Sequence, residues 1–320
     1  MKPYLELVRT ILDTGAWQEN RTGIRTKAIS GASLKFDLEE GYPAVTTRRL
    51  PFKTFMGEMC AFVRASESAA DFRAMNCKIW DANANENAAW LANPYRGAKH
   101  DYLGRIYGVQ WRRWKGYKVL AEGTPEFGDA LGKGWNPIAT TNKGSKVLFK
   151  SIDQLRECLD KIMYQPTDRR ILFHAWNPAE LDEMALPPCH LLYQFNVSVA
   201  RKELSLCMYQ RSVDAPLGLV GNLAEGAAMV ELFARLTGYK AKWLTWFGSD
   251  VHVYENQLDM MAEQLTRTPY PLPRLVISDR IPAYSKTAVY EPEWLDKIEP
   301  TDFALEGYQH HTPLTAPMAV

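Results

Sequence analysis

Apolar and polar positions follow two periods along this chain. From Pro3 to Thr14, Leu5, Leu7, Val8, Ile11 and Leu12 recur at helical spacing, with Pro3 suited to a first turn and Gly15 to a stop. Residues 52–63 repeat that pattern and carry Glu58 among Phe55, Met59, Phe62 and Val63. Alternation with period two marks strands at 32–38, 171–176, 191–200, 204–212 and 243–254, with a shorter one at 275–277. Arg201-Lys202-Glu203 is a hairpin-sized turn. The spacing predicts further helices at 152–164, behind a Ser151–Gln154 capping box, at 222–236, with Asn222 as cap and Gly238 as terminator, and at 255–266. Two stretches break the periods. Residues 82–102 begin with the polar run Ala82–Asn87, and residues 115–150 are rich in Gly and Lys; both read as surface excursions. Strands and helices without regular βαβ alternation predict an α+β fold: a single domain over 1–320 with one large mixed sheet flanked by helices.

Composition narrows the class. The chain has 320 residues, 46% of them hydrophobic, enough for a large core. A net charge of +1 gives no overall polyanion-binding character. Five cysteines form no CxxC pair, and the odd count points to a reducing, cytoplasmic setting. The N-terminus reads as a helix start rather than a signal peptide, and no apolar run reads as a membrane span. The histidines lack metal-ligand spacing, so no metal is expected.

The chemistry centres on Cys189. Pro187 and Pro188 restrict the backbone before it, and a strand follows at once. A free cysteine is ordinarily a small buried hydrophobe; a nucleophile would need cations nearby. Other polar groups stand in apolar surroundings: Arg211 and Ser212 end a strand, His252 and Tyr254 share a strand face, and Asn222 begins a helix. Arg21, Arg169, Arg170 and Arg211 have the fork geometry that suits a phosphate, and there is no Walker or GxGxxG loop. Asn222 offers the donor and acceptor that match O4 and N3–H of a uracil.

At these residues the chain resembles the folate-dependent thymidylate synthases and their nucleotide hydroxymethylase relatives. The matching pieces run in family order: Asn20–Gly23, Glu58, Ile79-Trp80-Asp81, Tyr107–Trp111, Arg169-Arg170, Ala175–Asn177, Met184–His190, Tyr209–Asp214, Leu217-Gly218, Asn222, Asp250–Tyr254 and the Ala-Pro-Met-Ala-Val tail. The resemblance implies that Cys189 adds to C6 of dUMP, with Glu58, His190, Tyr107 and Asn222 as its catalytic companions. It implies that Arg21, Gln210, Arg211, Ser212, Asp214, Asn222, His252 and Tyr254 hold the nucleotide. Arg169 and Arg170 would reach the phosphate from the second subunit of a homodimer, whose sheets pack face to face. Ile79, Trp80, Leu186, Asp214, Gly218 and Val320 would face 5,10-methylenetetrahydrofolate. Neither a membrane nor a nucleic acid is needed for catalysis.

The departures gather on the folate side. Asn83 stands where the family usually has a tryptophan, Val220-Gly221 where Pro-Phe precedes the asparagine, and Glu225-Gly226 where Ser-Tyr follows it. Ala65–Ser68 replaces a Gly-Asp-Thr-Asn run, and Trp90 is a candidate replacement for the lost aromatic. A methyl product is the leading expectation. A dUMP 5-hydroxymethylase is the alternative, and a catalytically silent nucleotide- or RNA-binding homologue a third reading, disfavoured by the retained thiol and Glu58.

Overall fold

A computed structural model describes residues 1–316. Its strands are β1 (Ala16–Gln18), β2 (Thr26–Asp37), β3 (Trp114–Leu120), β4 (Asn136–Thr140), β5 (Lys146–Ile152), β6 (Leu172–His174), β7 (His190–Ser198), β8 (Glu203–Asp214), β9 (Lys240–Tyr254), β10 (Arg274–Ile277) and β11 (Phe303–Glu306). Its helices are α1 (Lys2–Thr14), α2 (Phe52–Val63), α3 (Ala69–Ala74), α4 (Asp81–Asn85), α5 (Ala88–Leu91), α6 (Tyr107–Arg112), α7 (Pro125–Gly132), α8 (Gln154–Tyr164), α9 (Val220–Thr237), α10 (Leu258–Thr266) and α11 (Tyr284–Thr287).

Six strands form one mixed sheet in the order β1-β2-β9-β8-β7-β6, with β8 and β9 parallel and every other pair antiparallel. The alternation read from the sequence sets its two faces. Leu204, Leu206 and Met208 of β8 and Leu244 and Trp246 of β9 point into the core. On the other face Tyr209 and Phe247, adjacent in register, are 39% and 42% exposed. Helix α9 lies under the inner face and is buried almost all round, as its continuous apolar composition requires. Residues 215–237 are long and apolar enough to span a membrane by composition, a length the sequence reading did not credit, but 83% of that window is buried in the protein core.

Several helix ends differ from expectation. Asn222 is not a cap: one π-helical turn, Ala215–Leu219, runs directly into α9, and the Asp214 carboxylate caps it by accepting from the Leu217 N–H at 3.0 Å. Gly238 does end α9, at φ 80°. Helix α8 is capped by Asp153 and not by Ser151, which stays in β5. Residues 82–102 are more than a surface excursion. They include α4 and α5, and Trp90 is 2% exposed with its indole N–H on the Tyr102 carbonyl. Residues 115–150 also fold more tightly than their composition suggests. They form the sheet β3-β5-β4, closed by α7 over a small core of Phe127, Ala130 and Leu148.

Candidate active site

The ends of β7, β8 and β9, the start of α9, and α2 and α6 enclose a cavity of about 630 Å³, within the range of small-molecule sites. Cys189 stands on its wall at the start of β7. Arg211, from the antiparallel neighbour β8, holds the turn before it: Nε donates to the Pro188 carbonyl at 2.8 Å and Nη2 to that of Pro187 at 3.0 Å. The same Nη2 lies 3.7 Å from the cysteine sulfur. The Cys189 N–H donates to the Tyr107 hydroxyl at 2.7 Å. Tyr107 has a φ of 22°, a conformation rare for a side-chain-bearing residue and typical of functional positions. Cys60, Cys77 and Cys158 are buried, and desolvation raises all three thiols, that of Cys158 to about 12. Of the five, Cys189 alone stands on the cavity wall with a guanidinium beside it.

One part of the cavity lining gathers cationic, hydroxyl and imidazole side chains. Arg21, Arg211, Ser212, His252 and Tyr254 stand there, together with Asp250, which the sequence reading placed in a motif but gave no role. Arg21 rides on a turn fixed by Asn20, whose Oδ1 accepts from the Thr22 N–H at 2.9 Å. His252 and Tyr254 lie on one strand face, as the period predicts, with rings edge-on at 5.1 Å. His252 Nδ1 is 3.1 Å from Asp250, an interaction that holds the Asp250 carboxyl below its ordinary range. Arg48 also lines the cavity and was missed; it is 4% exposed and donates to Gln264 at 3.0 Å.

A chain of buried hydrogen bonds crosses the floor. The Trp246 indole N–H donates to Gln210 Oε1 at 3.0 Å, and Gln210 Nε2 donates to Asn222 Oδ1 at 2.8 Å. Asn222 Nδ2 then donates to Glu225 Oε2 at 3.3 Å. An indole nitrogen only donates, so Trp246 sets the orientation of both amides. One Nδ2 hydrogen and one Oδ1 lone pair of Asn222 remain for a ligand. Next to the end of that chain the Trp80 indole donates to Glu58 Oε1 at 2.7 Å. Burial raises the Glu58 carboxyl above its usual range and the Tyr107 hydroxyl well above its own. The His190 ring lies tilted 4.5 Å from the Tyr107 ring, with Nδ1 2.7 Å from the Tyr193 hydroxyl, and burial lowers it to about 3, so it is neutral at physiological pH.

The other end is apolar. Ile79, Trp80, Leu186, Leu217 and Gly218 line it, and a carbon added at Gly218 would meet no heavy atom nearer than 3.9 Å. Asp214 lines it too, although its oxygens are taken by Leu217 and by Gln257 Nε2 at 2.8 Å. Trp90 points away from the cavity and does not replace the missing aromatic; Asn83 and Asn87 stand on the wall. Phe55 of α2 does supply an aromatic: its ring lies where a side chain at Gly221 would be, 2.1 Å from an added Cβ. Arg169 and Arg170 are not on this chain's cavity; Arg170 is 84% exposed and paired with Asp168. Val320 lies outside the described residues.

Comparison with known proteins agrees with this arrangement. The sequence model of the family described as thymidylate synthase matches residues 2–320. The chain is 58% identical to the thymidylate synthase of Bordetella parapertussis and 57% identical to that of Pseudomonas putida, each over the full length of both chains. It is 37% identical to the thymidylate synthase of Haemophilus influenzae, again over both full lengths. A cavity with a cysteine on its wall and arginines among its lining, on a sequence related this way along its whole length, places the chain in the thymidylate synthase family.

Proposed function

We propose that the chain converts dUMP to dTMP, with 5,10-methylenetetrahydrofolate as the one-carbon donor. The observation that carries the mechanism is the meeting of Cys189, Arg211 and Tyr107 on one wall opposite Asn222.

Arg21, Arg211 and Ser212 take the phosphate, and His252 and Tyr254 the 3′-hydroxyl. The free N–H and lone pair of Asn222 pair with O4 and N3–H of the uracil, with Gln210 fixing the amide. Cys189 adds to C6 as a thiolate, which makes C5 the nucleophile toward the one-carbon unit; C5 then gives up its proton, and the thiolate leaves C6 again to release the product. The Arg211 guanidinium favours that charged form, and the two proline carbonyls it grips keep the sulfur aimed. Glu58, raised by burial yet held by Trp80, exchanges protons with the base at O4. Neutral His190 and Tyr107 back the thiol side without adding charge.

The apolar end fits the folate. Ile79, Trp80, Leu186 and Leu217 would flank its ring system, with Asp214 and Gly218 toward the pterin, and Phe55 supplies the aromatic surface that residue 221 does not. Bound there, the folate supplies the carbon unit and the hydride that reduces it to a methyl group. The residues around that end exclude water from the base. The apolar tail closing on Val320 belongs to the same reading.

A homodimer completes the site, with Arg169 and Arg170 of each chain reaching the phosphate in the other. The exposed aromatic pair Tyr209 and Phe247 on the outer sheet face supports this, as does the absence of both arginines from the chain's own cavity. Five unpaired cysteines agree with a cytoplasmic location. Mass spectrometry of the nucleotide product, with absorbance of dihydrofolate, tests the reading. dTMP and dihydrofolate in equal amounts are expected; a product heavier by one oxygen without dihydrofolate would replace it by hydroxymethylation.

A further inference from the structure

Glu225 follows Asn222 by three residues on α9, one helical turn on, and is 4% exposed. Its Oε2 accepts from Asn222, while Oε1 is buried without any donor in reach. What stands beside it is Glu58 of α2: the two carboxyls are within hydrogen-bond reach of each other. A buried acceptor facing a buried acceptor is costly.

The direction of the surrounding bonds identifies what is missing. From one side the order runs Trp246 to Gln210 to Asn222 to Glu225, every group donating toward the pair. From the other side Trp80 donates to Glu58. Both ends start at an indole N–H, which cannot reverse. The one place where two acceptors meet is the Glu58–Glu225 contact, and a single proton there satisfies both. Two carboxylates in one dry site do not both ionise, for the same reason that paired acids elsewhere share a proton.

We propose that Glu225 is a positioning residue of this site: its carboxyl shares one proton with Glu58, and its other oxygen locks the Asn222 amide in the orientation that pairs with uracil. The proposal rests on the reading of the site as a dUMP site. A cytosine edge presents the reverse pattern, and Asn222 could meet it only by flipping, which would set its carbonyl against Glu225. The shared proton also keeps a transferable hydrogen at Glu58 while the pair carries one negative charge.

The surroundings agree. Burial raises both the Glu58 and the Glu225 carboxyl above the ordinary range, as a pair that holds one proton between them requires. The titratable groups facing the pair are Tyr42, Cys77 behind α2, Tyr107 on α6 and Tyr193 on β7, all held protonated by burial. Among the described residues no lysine or arginine acts on either carboxyl.

Infrared spectra of the ligand-free protein test the proton directly. The native protein is expected to show the carbonyl stretch of a buried protonated carboxyl at neutral pH, persisting into alkaline solution. Glu225→Gln is expected to lose it, because an amide provides the same donor and acceptor without a titrating proton. No such band in the native protein, or an unchanged band in the variant, overturns the proposal. Nucleotide binding tests the lock: Glu225→Gln should hold dUMP within about threefold of native, and Glu225→Leu, which strands Asn222 and Glu58, should weaken it at least about tenfold. Equal loss in both variants would overturn the lock. Native dTMP formation is assayed alongside; its absence would refute the functional reading and leave the infrared result to decide the shared proton.

Discussion

The Arg211 guanidinium stands 3.7 Å from the Cys189 sulfur while it grips the carbonyls of both prolines before it. One side chain thus sets the electrostatics of the thiol and the shape of the turn that presents it. Arg211→Lys keeps the charge but cannot make both backbone bonds. It is expected to lower kcat/KM by about a hundredfold or more, through the lost charge-assisted bonds. Cys189→Ser, by contrast, should abolish turnover and leave dUMP binding within about tenfold. Steady-state rates with nucleotide titrations check both; a serine variant with near-native turnover would refute Cys189 as nucleophile.

The indole N–H of Trp80 is a donor to the Glu58 carboxylate, and a donor favours the charged form. Its removal in Trp80→Phe adds to the rise that burial already causes. The limb of the kcat–pH profile that reports Glu58 ionisation is expected to move to higher pH. A profile that stays in place would separate Trp80 from the control of Glu58.

Stability carries the signature of Glu225. Its carboxyl is raised well above the ordinary value in the folded state. A group raised in this way contributes its full stability below the unfolded pKa and loses it as pH rises toward the folded one. Each unit of difference amounts to about 1.4 kcal/mol. Glu225→Gln has no such loss, so its melting temperature relative to native should climb steadily from pH 5 to pH 8. A constant difference across that range would contradict a raised carboxyl at 225.

Gly221 has no room for a side chain, since the Phe55 ring fills the space at 2.1 Å. Gly221→Ala should displace that ring and cost about 1–3 kcal/mol through overpacking. Because Phe55 faces the apolar end, KM for the folate should rise while KM for dUMP changes little. Thermal unfolding and separate substrate titrations distinguish this from a general loss of fold; an equal rise in both KM values would speak against Phe55 as part of the folate surface.

Mixing Arg170→Ala chains with Cys189→Ser chains tests the shared site. Each pure protein should be poor, whereas half of the randomly mixed dimers should each hold one complete site, giving about a quarter of native activity. No recovery on mixing, or a monomer in sedimentation, would remove Arg170 from the partner's phosphate.

How much of this was legible in the sequence depends on how local the signal was. The alternation in β8 and β9 and the apolar run of α2 reflect burial of one face, and burial is written residue by residue. Cys189 and Arg211 were recognisable as chemistry, although only the β7–β8 pairing sets them 3.7 Å apart. Asn222 was misread as a cap because Asp214 caps from eight residues upstream, through a π turn whose sequence reads as loop. Glu225 was visible only as a departure: its partner Glu58 lies far away in the chain, and no periodicity connects them. Trp90 was a candidate for the missing aromatic because nothing local says which way its ring faces; its burial in the core and its bond to the Tyr102 carbonyl are set by the fold.

Trp114 pairs with Ile152 across the base of the small sheet, so the chain leaves the body of the protein and returns one strand spacing away, about 5 Å. Trp114 against His174 and Lys115 against Glu180 anchor that base, while Phe127 and Leu148 close the rest upon itself. The outer turn at Asn142–Gly144 is exposed. An insertion there would lengthen an appendage without pulling on its roots, making this turn a natural graft site for a tag or a fused domain.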